Sequence, residues 1–141
     1  MSACGPQGRL AWSAIVLEVF LGVGALGGGV ALILGPRGEV LPLPVSALAG
    51  SPFRTYLVPG VVLFFVIGIG PLVAAALTWR RHRWAPFLAM AVGVALLVWM
   101  AVEIAIVGYT NTPPLQATYL ILGAVIGFVG ICWQRSSRET P

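Results

Sequence analysis

Two carboxylates stand where chemistry at membrane depth would need them. Glu18 falls inside the apolar run that starts at Leu10, and Glu103 inside Trp84–Gly108. An ionisable side chain within such a run marks a candidate functional site, because it must be hydrogen-bonded, neutralised or used. Glu18 lies about 12 Å in from Leu10, and Glu103 about 28 Å in from Trp84, at 1.5 Å rise per residue. Their depths differ by roughly 16 Å, so they do not form one acid dyad. Glu18 has two readings. In its protonated form it would donate to the carbonyl of Ile67, freed by Pro71; alternatively it binds protons or cations for transport. Glu103 would be held by Tyr119 at matching depth, by Gln116 one turn above, and by Arg54 and Tyr56 from the neighbouring loop. There it either tethers that loop or acts as a gate or ligand contact.

Other chemistry is poorly served. Gly22-Val23-Gly24-Ala25-Leu26-Gly27 spells a dinucleotide fingerprint, but that motif needs a preceding strand and a helix N-terminus. Here it sits in mid-helix and is packing surface. The loop serines, Ser46 and Ser51, have no histidine on their side to activate them. His82 is the only histidine and the cysteines are Cys4 and Cys132, so no metal-ligand cluster forms. Neither catalysis, a metal nor a cofactor is expected.

The elements that must position the two acids follow from composition. The 141 residues are 59% hydrophobic and 9% charged, with mean hydropathy +0.98. A soluble domain carries about a quarter charged residues. Four apolar runs, about 10–34, 59–79, 84–108 and 115–133, are long enough to cross a bilayer. They predict an all-α integral membrane protein: one domain, an antiparallel four-helix bundle with short connections. Residues 35–58 form an outer loop whose four prolines, Pro36, Pro42, Pro44 and Pro52, exclude a long helix. Its apolar residues should lie against the bundle. Ser51-Pro52 reads as the start of a short interfacial helix. Pro71 should kink the second span near Gly68–Gly70, and a polar tail, 134–141, completes the chain.

Charge orients the bundle. Arg80, Arg81 and Arg83 form a cluster in the turn between spans two and three. With Arg9, Arg135 and Arg138 they make six arginines on one side, against Arg37 and Arg54 on the other. The positive-inside rule then puts both termini in the cytoplasm, with the chain in an inner or plasma membrane. Trp12, Trp79, Trp84 and Trp133 cluster at the same ends, as an aromatic belt would. On this topology the net charge of +4 marks a membrane face rather than a nucleic-acid surface. Small residues prepare the helices for close approach: Ala11, Ala14, Gly22, Ala25 and Gly29 on span one, Ala89, Gly93, Ala101 and Ala105 on span three, and Gly123 and Gly127 on span four. Some of these faces could meet another subunit or a second copy.

Two resemblances rest on short stretches. Ala14-Ile15-Val16-Leu17-Glu18-Val19 resembles the first helix of small multidrug resistance transporters, where a membrane-embedded glutamate binds protons and cationic drugs in an antiparallel dimer. That family lacks so long an outer loop, and the arginine bias opposes dual topology. Leu48-Ala49-Gly50-Ser51-Pro52-Phe53, with Tyr56 and Pro59-Gly60, resembles small four-span bacterial membrane proteins to which no activity is assigned. That resemblance implies a fold and no chemistry. The leading expectation is an accessory or assembly subunit of a membrane complex, acting by helix association within the lipid bilayer. The alternative is a small proton- or cation-coupled transporter or channel using Glu18 or Glu103.

Overall fold

A computed structural model describes residues 6–109 and 114–139, and these are helical apart from turns and loops. Cys4 lies outside the described residues, as do 110–113 of the last connection. Four helices are long and apolar enough to cross a membrane: α1 (Pro6–Leu34), α2 (Leu57–Trp79), α3 (Ala85–Val107) and α4 (Leu115–Glu139). Helix α1 ends where Gly35-Pro36 stops it. Helix α3 ends at Gly108, whose φ of 85° suits a residue without a side chain.

The fourth helix runs further than expected. Residues 134–139, read from sequence as tail, continue α4. Polarity changes there but no breaker follows Trp133, and the Ser137 hydroxyl folds back onto the Trp133 carbonyl at 2.9 Å. Between α1 and α2, the expected interfacial helix at Ser51-Pro52 is replaced by a 3₁₀ turn, Val45–Leu48. Ser51 accordingly closes that turn: its amide donates to the Leu48 carbonyl at 3.0 Å, and its hydroxyl to the same carbonyl at 2.8 Å.

Pro71 acts on α2 through winding. The stretch before it, Leu63–Ile69, is π-helical, and the Gly70 amide reaches back five residues to the Phe65 carbonyl. A wider turn absorbs the donor that proline lacks.

Glycines set the distances between helices. A Cβ on Gly22 would come within 2.9 Å of the Gly68 carbonyl oxygen and 2.6 Å of Leu72, and one on Gly29 within 2.8 Å of Phe64. Numbers rise along α1 as they fall along α2. Between α3 and α4, a Cβ on Gly93 would lie 2.5 Å from the Gly127 nitrogen and 2.8 Å from the Gly123 carbonyl oxygen. Gly123 in turn faces Leu96 and Leu97. Helix α1 packs along all of α2 and also against α4, while α3 packs most extensively on α4. Leu21, Ala25, Ile67, Leu96, Met100, Leu122 and Ile126 form the central core.

Trp133 departs from the expected belt. It is 4% exposed and packs among Ala11, Ala14, Ala85 and Ala89, where four alanines leave room for an indole. Trp12, Trp79 and Trp84 stay on the outside, and Trp12 meets Trp79 edge to face at 5.4 Å.

Candidate functional site

Glu18 sits on the face of α1 that carries Ala11, Ala14, Leu21, Gly22, Ala25 and Leu32, all buried. Its own exposure is 0%, and neither carboxyl oxygen has a hydrogen-bond partner. The donation to Ile67 does not occur, and register explains why. Ile67 belongs to the cluster of Leu21 and Ala25, and Ala25 lies seven residues, about 10 Å, beyond Glu18. The pairing of Gly22 with Leu72 instead places Glu18 opposite Ala74 and Ala75, which offer nothing polar. One polar side chain does lie on this stretch of α2. Thr78 is 2% exposed, and its hydroxyl also lacks a partner. It was missed in the sequence, although it is the sole hydroxyl of the second span.

Glu103 is half-buried and engaged. The Gln116 amide donates to its Oε1 at 3.4 Å and to the Gly108 carbonyl at 3.0 Å. Gln116 therefore does more than expected: buried in the first turn of α4, it binds the end of α3. Tyr119 lies one turn deeper than Glu103, its hydroxyl 3.3 Å from where a Cβ on Gly24 of α1 would stand. The offset arises because Glu103 and Gln116 are already level on the two helices.

The loop is not tethered by Glu103. Arg54 is exposed, and no ion pair joins it to Glu103. Tyr56 holds the loop instead. Its hydroxyl donates to the Pro44 carbonyl at 3.0 Å and its amide to the Pro36 carbonyl at 2.8 Å. Its ring packs with Leu32 and Leu48, flanked by Leu41, Leu43, Phe53 and Ile106. Burial raises the phenol above its ordinary value of 10.0, keeping the proton that the Pro44 bond uses.

At the other end, Arg80, Arg81, His82 and Arg83 are exposed in the turn between α2 and α3. Arg81 adopts φ 56°, uncommon for a residue with a Cβ. The His82 amide reaches the Leu77 carbonyl at 2.9 Å, and the Arg83 guanidinium lies 5.7 Å from the Trp84 ring centre.

Two grooves open on the outside of the helices. One, of about 300 Å³, lies between the start of α1 and the end of α2. The other, of about 190 Å³, runs between α2 and α3 beside the π-helical stretch. Its walls include Val66, Val73 and Leu88, and small residues Gly70, Ala74, Ala91 and Ala95 line it at helical spacing. Neither groove is lined by Glu18 or Glu103. Among the described residues no group of three metal-ligating side chains occurs. No protein-family model, curated protein or solved structure matches this chain.

Proposed function

We propose that this is a multi-pass protein of an inner or plasma membrane, an antiparallel four-helix bundle with both termini cytoplasmic. It acts by helix association, as an accessory or assembly subunit of a larger membrane complex, and not as an enzyme. The observation that carries this reading is the groove between α2 and α3. It is lined by apolar residues alone, lies within the hydrophobic length of both helices, and has small residues along it. A Cβ on Gly70 would meet nothing within 4 Å. Small residues beside an open groove let a partner helix approach closely, which is what drives association where lipid offers no hydrophobic gain. A photo-crosslinking side chain at Ala91, in native membranes, should give one discrete protein adduct, while the same probe at Val125 on the exposed face of α4 should give lipid adducts. Lipid adducts from both positions would refute the reading.

A second reading keeps one observation in its favour: Glu18 is enclosed with two unpartnered oxygens. A carboxyl held for a purely structural bond would show that bond. Proton- or cation-coupled transport would use it, provided the helices separate to admit water. Glu18→Gln in liposomes would then abolish flux without unfolding the protein. Unchanged flux in that variant, or no flux in the unaltered protein, excludes it.

A further inference from the structure

We infer that the groove between α1 and α2 at the arginine-rich end binds the phosphate of an anionic phospholipid; this rests on the membrane reading above. The groove is lined by Gly8, Ala11, Trp12, Ile15, Thr78, Trp79 and Arg81. Its chemistry is divided. Ala11 and Ile15 make an apolar wall suited to acyl chain. Trp12 and Trp79, in edge-to-face contact at 5.4 Å, present amphipathic rings of the kind found at headgroup level. Arg81 places a permanent cation at the groove, and a guanidinium forks onto phosphate oxygens. Its φ of 56° marks backbone held in a sparsely populated region at this turn.

Thr78 is a lining residue too, but it is 2% exposed and its hydroxyl is enclosed, so the polar contacts open to a ligand are those of Arg81 and the two indoles. Gly8 adds a small residue in the first turn of α1, where amides lack intrahelical acceptors. Charge selects among lipids, since no acidic side chain lines the groove.

Native mass spectrometry of the full chain in mild detergent, titrated with phosphatidylglycerol or phosphatidylcholine, tests the site. One phosphatidylglycerol per chain should be retained in preference to phosphatidylcholine. Arg81→Gln should weaken retention about tenfold, the equivalent of about 1.4 kcal/mol. Arg138→Gln should weaken it by less than twofold. Millimolar inorganic phosphate should not displace the lipid. Equal losses in Arg81→Gln and Arg138→Gln would show diffuse attraction and overturn the site. Equal retention of both lipids, or displacement by phosphate, would overturn it too. Should Arg81→Gln fail to fold, brominated phosphatidylglycerol still decides the matter. Its saturable quenching of tryptophan fluorescence should vanish when Trp12 and Trp79 are both changed to Phe, and persistence refutes the proposal.

Discussion

Glu18→Met is the substitution whose sign follows most directly from the structure. The native side chain is fully enclosed, with neither oxygen hydrogen-bonded. Folding therefore removes a polar group from its hydrogen-bonding surroundings and returns nothing. A buried polar group left unsatisfied costs ~1–3 kcal/mol, and replacing it with an apolar group of like shape recovers that cost. Methionine keeps the unbranched length and adapts to irregular space. The variant should therefore be more stable by ~1–3 kcal/mol. Reversible unfolding in mixed micelles, followed by tryptophan fluorescence, measures the difference. Glu18→Gln provides the internal comparison: it keeps two polar atoms in the same place and should show little of the gain. A loss of stability of ~1 kcal/mol or more in Glu18→Met would instead mean that the carboxyl has a stabilising partner.

Other consequences concern packing and the loop. Gly93→Ala drives a methyl to within 2.5 Å of the Gly127 nitrogen. It should cost ~1–3 kcal/mol by overpacking, read in a detergent melting curve. The reciprocal Gly127→Ala meets nothing within 4 Å and should gain roughly 0.5–1 kcal/mol from helix preference. Gln116→Leu leaves the Gly108 carbonyl and Glu103 without their amide donor, and should lower stability by ~1–3 kcal/mol in the same assay. Tyr56→Phe removes only the bond to Pro44. It should cost ~0.5–1.5 kcal/mol and show as faster proteolysis within residues 35–56.

Legibility in the sequence tracked the strength of the local signal. The four helices were readable because apolar length and breakers such as Gly35-Pro36 act within a few residues of their own position. The α1 face with Glu18 was readable for the same reason, since helical spacing alone puts Ala14, Glu18, Leu21 and Ala25 on one side. Register between helices was not readable. Counting from helix ends pairs Glu18 with Ile67 and sets Glu103 level with Tyr119; neither level holds, although Gln116, expected one turn above Glu103, does donate to it. In α2 the π-helical stretch and the packing of Gly22 against Leu72 set the level. In α3 and α4 the approach of Gly93 to Gly127 sets it. Such contacts depend on side-chain shape on both helices at once. Trp133 failed similarly: a tryptophan near a helix end reads as an interface anchor, and only the facing Ala11, Ala14, Ala85 and Ala89 reveal a core site. Thr78 drew no attention because a threonine in a helix usually satisfies itself on the backbone.

Association through the groove between α2 and α3 is put to the test by filling that groove. Gly70→Leu and Ala91→Phe place bulk where the groove is open, and Val125→Phe places it on the exposed face of α4. The measurement is quantitative co-purification of the tagged chain from native membranes in gentle detergent. A defined partner should accompany the unaltered protein and Val125→Phe at fixed stoichiometry, and be lost from Gly70→Leu and Ala91→Phe while their melting curves stay intact. A chain that purifies alone, or a partner retained equally by all four proteins, would show that the groove is not the docking surface.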